Sequence, residues 1–178
     1  MRIVAGKYKG LVFQYPKNIT ARPTTDRAKE SLFNILDNKI ELEDIKALDL
    51  FTGTGNITYE LASRGAKEVT AVDKSVHSVK YVKEVAKKLG ATGIKTVKAD
   101  VFSFINKCTD KFDLIFADPP YADAKIATLP QLIFEKELLN DGGYFILEHM
   151  SNTPIQHEYM VDQRVYGQSA FSFFCKSV

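Results

Sequence analysis

Short apolar runs alternate with amphipathic stretches from residue 45 onward, and this alternation predicts the architecture of the chain. Segments of five or six mainly apolar or β-branched residues predict strands, which are expected at 45–50, 68–72, 94–99, 112–117 and 144–148. Apolar positions at helical spacing predict helices between them, at 57–63, 76–89, 101–107 and 125–139. Strands that alternate with helices indicate an α/β fold with a doubly wound parallel sheet.

The two ends of the chain depart from this alternation. Residues 158–166 and 169–176 flank Gly167-Gln168 and predict a hairpin with a two-residue turn, so the sheet should end in an antiparallel pair. Residues 2–16 predict a second hairpin, and a helix is predicted to begin at Thr24 or Thr25. We therefore divide the chain into an N-terminal extension, residues 1–36, and a main domain, residues 37–178.

The charge is distributed unevenly between these two parts. The whole chain carries a net charge of +2, but residues 1–36 hold seven Lys and Arg residues against two acids, whereas the remainder is slightly acidic. A basic extension on an acidic body indicates contact with a polyanion, and we expect RNA or DNA contact there.

The remaining composition favours an ordinary cytoplasmic protein of 178 residues. Its two cysteines, Cys108 and Cys175, stand in no paired motif. The N-terminus has no apolar signal core, and no apolar run reaches membrane-spanning length. The three histidines lack the spacing of metal ligands, so no metal is expected.

The segment 49–55, Asp-Leu-Phe-Thr-Gly-Thr-Gly, joins the first strand of the main domain to a helix. Its two glycines allow the backbone to approach a ligand closely. A dinucleotide fingerprint would place a third glycine at Thr58, and the Lys-Ser/Thr ending of a phosphate-binding loop is missing. Because Asp49 would repel a pyrophosphate, it fits a cationic ligand better. S-adenosylmethionine, with an ammonium and a sulfonium group, is such a ligand.

Two further acids end the next two predicted strands. Asp73 follows the second strand and could accept hydrogen bonds from both hydroxyls of a ribose. Asp100 follows the third, where it could accept from an adenine amino group beside Val101. Each acid alone could equally cap a helix. Together with Asp49 they indicate a ligand site, because the carboxyl ends of parallel strands meet at one edge of the sheet.

The fourth strand runs into Asp118-Pro119-Pro120-Tyr121. Each proline fixes its own φ and lacks an N–H, so the turn is stiff and its carbonyls can remain available. A carboxylate, carbonyl oxygens and an aromatic ring suit a flat heterocycle that carries an exocyclic amine. This turn therefore indicates an amino-methyltransferase that acts on a nucleobase.

With these motifs, the chain resembles the class I S-adenosylmethionine-dependent methyltransferases, and more narrowly the RsmD family, which methylates the N2 amine of a guanine in 16S ribosomal RNA. The resemblance covers nearly the full length. It is carried by residues 2–10 (RIVAGKYKG), 22–34 (RPTTDRAKESLFN), the glycine turn, the Asp-Pro-Pro-Tyr turn and Tyr166-Gly167-Gln168. It implies a seven-stranded Rossmann-like sheet with an antiparallel last strand and a small N-terminal hairpin extension.

The resemblance also implies roles for individual residues. The proposed catalytic residues are Asp118, Pro119, Pro120 and Tyr121. The implied cofactor-binding residues are Asp49, Phe51, Gly53, Gly55, Asp73, Lys74, Asp100 and Val101, with Arg22, Thr24 and Thr25 near the cofactor carboxylate. The implied RNA-binding residues are Arg2, Lys7, Lys9 and Arg22.

The expected partner is 16S rRNA or a partly assembled small ribosomal subunit; the sequence does not fix the oligomeric state, and a monomer is favoured. Three alternatives stay open at this point. The chain could methylate another RNA or a DNA, including an adenine N6 amine. It could be a nicotinamide-dependent oxidoreductase that uses the same glycine turn, or an RNA-binding module without catalysis.

Overall fold

The computed structural model describes residues 1–17, 19, 26–123 and 125–176. The helices are α1 Asp26–Leu36, α2 Asn56–Ser63, α3 Val76–Leu89, α4 Val101–Lys107 and α5 Leu129–Glu135, with a 3-10 turn at Ile126–Thr128. The strands are β1 Lys46–Leu50, β2 Glu68–Asp73, β3 Ile94–Lys98, β4 Phe112–Ala117, β5 Leu139–Met150, β6 Met160–Tyr166 and β7 Ser169–Cys175.

Seven strands form one mixed sheet in the order β3-β2-β1-β4-β5-β7-β6. The first five strands pair in parallel, and β7 runs antiparallel to both β5 and β6. The predicted doubly wound sheet with an antiparallel last strand is therefore confirmed. Strand order reverses at the β1–β4 pair, and such a reversal leaves a crevice at the carboxyl ends of the strands.

Helices cover both faces of the sheet. On one face, Leu32 and Phe33 of α1 belong to the same buried cluster as Leu114 and Phe116 of β4. On the other face, α4 and α5 contribute to a second apolar cluster. Since α1 packs directly onto the sheet, the boundary drawn at residue 36 does not coincide with a break in the core.

The N-terminal hairpin is shorter than predicted: an antiparallel bridge pairs Arg2 with Val12, and the amides of Ile3 and Phe13 donate to the carbonyl oxygens of Leu11 and Met1, each at 3.0 Å. The backbone amides of Val4 and Ala5 donate instead to the two carboxylate oxygens of Glu60, at 2.9 and 3.0 Å. A strand partner is therefore replaced by a buried side chain of α2. Ile3 is buried beside Tyr59, which seats this segment on the main domain.

The predicted helix over 125–139 divides into the short 3-10 turn and α5. Pro130 is accepted in the first turn of α5, where its missing N–H costs nothing. Glu137 then takes a positive φ of 51° and ends the helical path. Strand β5 begins earlier than predicted because Leu139 already pairs with Phe112.

In the described part of the chain, no helix is both long and apolar enough to cross a membrane. The turn between β6 and β7 has two residues, since Tyr166 pairs with Ser169. Gly167 takes a φ of 63° there, which agrees with the predicted turn.

Candidate active site

A cleft of about 980 Å³ opens at the carboxyl ends of β1, β2, β4 and β5. This volume lies at the top of the range of roughly 300–1,000 Å³ that is usual for small-molecule sites, so a cofactor and a nucleobase fit together. The predicted site residues that line it are Asp49, Phe51, Gly53, Asp73, Lys74, Asp118, Pro119, Pro120 and Tyr121. These nine residues therefore lie in the crevice that the sheet topology leads one to expect.

Asp49, one residue before the end of β1, lines this cleft and is almost fully buried, with 2% of its surface exposed. Its Oδ2 accepts hydrogen bonds from the hydroxyls of Thr52, at 2.8 Å, and Thr58, at 2.5 Å. Burial raises the pKa of Asp49 to about 6, although both threonine hydrogen bonds favour the ionised form. Thr58 stands where a dinucleotide fingerprint has its third glycine, and its hydroxyl donates a hydrogen bond to the Asp49 carboxylate.

The turn after Asp49 is held in a left-handed backbone path. Phe51, Gly53 and Gly55 have φ values of 61°, 54° and 78°. A Cβ atom at Gly55 would lie 2.6–2.8 Å from ring atoms of Tyr59, so only glycine fits there. Gly55 precedes the first residue of α2 and is the left-handed N-cap of that helix.

Asp73 ends β2 and fixes the same turn from the other side. Its Oδ2 accepts from the backbone amide of Gly53 at 2.9 Å, and its Oδ1 accepts from that of Ser75 at 2.8 Å. A carboxylate offers about four acceptor sites, so these two bonds leave capacity for the hydroxyls of a ribose.

Asp100 and Val101 are not among the described residues that line the cleft. Asp100 caps α4, where its Oδ1 accepts from the amide of Ser103 at 2.9 Å. This backbone hydrogen bond lowers the pKa of Asp100. Phe102 meets the ring of Phe51 edge-on at 6.5 Å, which links α4 to the cleft wall. The adenine role of Asp100 and Val101 stays a prediction.

The Asp-Pro-Pro-Tyr turn follows β4 and opens into the cleft. The amide of Asp118 lies 3.4 Å from the carbonyl oxygen of Leu50, which holds the start of the turn against β1. The Tyr121 hydroxyl forms a 2.7 Å hydrogen bond with that of Ser169. This contact ties the turn to the β6–β7 hairpin and sets the position of the Tyr121 ring.

Sequence reasoning missed several residues of the lining. Glu148, which ends the apolar run of β5, is buried with 4% exposed and lines the cleft. An acid at the end of a predicted strand could have signalled it, as it did for Asp49. The other missed residues include Arg27, Ser31, Asn56 and Gln168; three of them lie in segments that carry the family resemblance, but the resemblance implied no role for them.

The predicted RNA-binding residues lie apart from the cleft lining or outside the described residues. Arg2 forms ion pairs with Glu30, at 3.1 Å, and Asp26, at 3.8 Å. Lys7 and Lys9 are exposed. Arg22, Thr24 and Thr25 fall outside the residues that the structure describes.

The chemistry of the cleft fits S-adenosylmethionine. Among its described lining residues are four acids, Asp49, Asp73, Asp118 and Glu148, against two cations, Arg27 and Lys74. An acidic lining favours a cationic ligand over a pyrophosphate. Asp49 and Asp73 would hold the amino group and the ribose, while Gly53 lets the backbone approach. The described residues contain no cluster of His, Cys, Asp and Glu suited to a metal ion.

A family model described as "Conserved hypothetical protein 95" (Cons_hypoth95) matches residues 1–175. The chain belongs to this family. Membership confirms the resemblance to the RsmD family that the sequence motifs indicated. The ribosomal RNA small subunit methyltransferase D of Escherichia coli K12 is 31% identical over 150 residues, which cover 83% of this chain and 74% of that protein.

Solved structures agree with the family assignment. The Thermus thermophilus protein TTHA0928 has 28% sequence identity and a TM-score of 0.87, over 99% of both chains. SMU.776, solved in complex with S-adenosylhomocysteine (SAH), has 20% identity and a TM-score of 0.64, over 82% of this chain and 49% of its own. At that identity the second comparison shows the fold alone, which is the methyltransferase fold expected for the family.

Proposed function

We propose that this protein transfers a methyl group from S-adenosylmethionine to the exocyclic N2 amine of a guanine in 16S rRNA, as part of cytoplasmic ribosome assembly. The observation that supports this most is that the Asp-Pro-Pro-Tyr turn and the acidic glycine turn line one cleft. The similarity to a relative named ribosomal RNA small subunit methyltransferase D supports the choice of RNA.

S-adenosylmethionine supplies an electrophilic methyl group when it is bound. The guanine amine is a weak nucleophile, because its lone pair is delocalised into the ring. The Asp118 carboxylate and the Pro119 carbonyl would each accept one N–H of this amine and turn its lone pair toward the methyl carbon. Positioning of this kind can lower a barrier by roughly 7–11 kcal/mol at best.

Two further steps fall to the same turn. The amine proton becomes acidic only as the new C–N bond forms, and Asp118 can then accept it or pass it to water. Tyr121 would stack on the guanine, which must leave its helix to enter the cleft. The hydrogen bond to Ser169 holds the ring in place before the base arrives.

The test uses the purified protein with S-adenosylmethionine labelled in its methyl group. It is incubated with 16S rRNA and with small subunits that lack the modification, and the RNA is then digested to nucleosides. We expect the label in N2-methylguanosine, and the comparison of substrates separates naked RNA from a partly assembled subunit. Label in N6-methyladenosine, or no transfer to either RNA by protein that binds the cofactor, would overturn the proposal.

A further inference from the structure

Glu148 occupies a position that the proposed reaction has not yet used. Leu147 of β5 pairs with Ala117 of β4, and the residues that follow them are Glu148 and Asp118. Neighbouring strands lie about 4.8 Å apart, so the two acids stand side by side at the carboxyl end of the sheet. Both line the cleft, and Glu148 is removed from water except for 4% of its surface.

Guanine presents two kinds of donor next to each other on its Watson–Crick edge, the N2 amine and N1–H. If the N2 amine is held by Asp118 and the Pro119 carbonyl, N1–H extends beside it, toward a neighbouring acceptor. We propose that Glu148 is that acceptor and that it selects guanine by binding N1–H. This inference rests on the proposed function, and it adds the residue that identifies the base.

The chemistry of a buried carboxylate explains the selectivity. An ionised carboxyl group only accepts hydrogen bonds, so it attracts N1–H of guanine and repels a ring nitrogen that carries a lone pair. Adenine and 2-aminopurine both have such a lone pair at N1. Because Glu148 is almost fully buried, water does not screen the repulsion between its carboxylate and the lone pair at N1. The electrostatic penalty is therefore larger than it would be at the surface.

The β6–β7 turn limits how the base can shift to avoid this contact. Tyr166, Gly167, Gln168 and Ser169 of this turn line the cleft beside β5, with which β7 pairs. The amide of Ser151 donates to the carbonyl of Gln168 at 2.8 Å, and Ser169 bonds to Tyr121. The base is thus confined between a fixed hairpin and the two acids.

The test compares 16S rRNAs that carry guanosine, 2-aminopurine riboside or N1-methylguanosine at the modified position. All three keep the N2 amine, but only guanosine has N1–H. Wild-type protein should prefer guanosine in kcat/KM by at least about 100-fold over both analogues. Since N1-methylguanosine keeps O6 and 2-aminopurine lacks it, agreement between the two analogues isolates N1–H.

Two variants then test Glu148 itself. Glu148→Gln can donate an amide N–H to N1 of 2-aminopurine, so its preference for guanosine over that analogue should fall by about 10-fold or more. Glu148→Ala leaves room for the methyl group and should raise the relative use of N1-methylguanosine. Calorimetry with S-adenosylhomocysteine checks that both variants keep the cofactor cleft.

The outcomes separate this inference from the proposed function. If the wild-type protein methylates guanosine but uses either analogue within about threefold, or if Glu148→Gln leaves the ratio unchanged, Glu148 does not read N1–H. If the wild-type protein transfers no methyl group to guanosine RNA, the proposed function itself fails. The wild-type comparison can overturn the inference even if a variant does not fold.

Discussion

Lys29 and Glu60 form an ion pair with no exposed surface on either side chain, at 3.3 Å between Nζ and Oε2. Lys29 Nζ also donates to Oδ1 of Asn56 at 2.8 Å. Asn56 lines the cleft directly after the glycine turn. The pair therefore joins α1 to the start and middle of α2, immediately behind the cofactor site.

The same two side chains hold the N-terminal segment. Glu60 accepts from the amides of Val4 and Ala5, and Lys29 donates to the carbonyl of Arg2. Burial lowers the pKa of Lys29, and the attraction of Glu60 opposes that change. The basic extension is thus fixed to the cofactor domain through a charged pair that has no access to water.

Removing one partner of this pair should destabilise the protein strongly. Lys29→Met removes the buried cation and leaves the Glu60 carboxylate only its ion pair with Arg64, at 3.1 Å, and we expect a loss of about 3 kcal/mol in the free energy of unfolding, the lower end of the cost of breaking a buried pair. The double variant Lys29→Met/Glu60→Gln should lose less, because no buried charge remains. Urea denaturation monitored by circular dichroism gives the values.

The exposed pair between Lys95 and Glu68 provides the matched control. Because the Lys95 side chain is 63% exposed, Lys95→Met should change the free energy of unfolding by less than about 1 kcal/mol. Equal losses for Lys29→Met and Lys95→Met would contradict the role given to the buried pair.

The pair also shows where the sequence is uninformative. The helix that contains Glu60 is predicted by its apolar spacing, but nothing local indicates that its carboxylate binds the amides of Val4 and Ala5. The hairpin predicted over 2–16 is wrong in extent for this reason. Local patterns predict the type of an element, whereas the choice of a partner 55 residues away depends on packing.

The residues of the cleft also divide into those that local patterns predict and those that they do not. Asp49, Asp73 and Asp118 could be predicted because the ends of parallel strands converge on one crevice, and the structure brings all three to the cleft. Asp100 satisfies the same sequence rule and caps α4, outside the described lining of the cleft. Glu148 ends the predicted strand 144–148 and satisfies the rule as well, but neither a glycine turn nor an Asp-Pro-Pro-Tyr turn follows it directly.

Cofactor affinity should depend on the protonation of Asp49. With its pKa raised to about 6, Asp49 is ionised above that pH and able to attract the ammonium group of the cofactor. Affinity should be constant at pH 7–8. It should decrease as the pH is lowered through 6, and the decrease should approach about tenfold per pH unit well below that pH. Isothermal titration calorimetry with S-adenosylmethionine between pH 5 and 8 measures this. A dissociation constant that stays level over that interval would exclude Asp49 as the partner.

The variant Asp49→Asn serves as the control and carries a stability effect of its own. An acid with a raised pKa in the folded state favours folding when protonated, and that contribution is lost as the pH rises through 6. At pH 7–8 the asparagine variant should therefore be more stable than the wild type, by up to about 3 kcal/mol. Its cofactor affinity should be weak and independent of pH.

The basic extension should account for much of the salt dependence of RNA binding. Lys7 and Lys9 are exposed, and the amide of Lys7 is held by the carbonyl of Ser63 at 2.7 Å, so both extend from a fixed backbone. Replacing both with alanine should weaken binding and reduce the slope of log K against log salt by about 1–2. Lys87→Ala/Lys88→Ala, at the end of α3, is the matched control and should leave the slope near the wild-type value. The same slope for all three proteins would place the RNA elsewhere.

Asp118 should matter for turnover and little for the cofactor. Asp118→Ala removes one acceptor of the target amine and should lower kcat by about 100-fold or more, while the dissociation constant of S-adenosylmethionine changes less than threefold. Asp118→Asn keeps the side-chain shape and one acceptor oxygen but cannot take up the proton. Its kcat should therefore lie between those of the wild type and Asp118→Ala. Single-turnover methyl transfer separates the chemical step from product release. Turnover near the wild-type level in Asp118→Ala would remove it from the reaction.

Tyr121 offers a distinction between its ring and its hydroxyl. Tyr121→Ala removes the surface on which the guanine would stack, and a loss of ~1–3 kcal/mol should raise KM for RNA by roughly 5- to 150-fold. Tyr121→Phe keeps the ring but loses the 2.7 Å hydrogen bond to Ser169, so stacking should remain while the ring is held less firmly in position. Ser169→Ala breaks the same bond from the other side. If the hydroxyl acts only through that bond, Tyr121→Phe, Ser169→Ala and the double variant should have the same modest effect on kcat/KM. A double variant whose loss equals the sum of the two single losses would show that the two hydroxyls act separately.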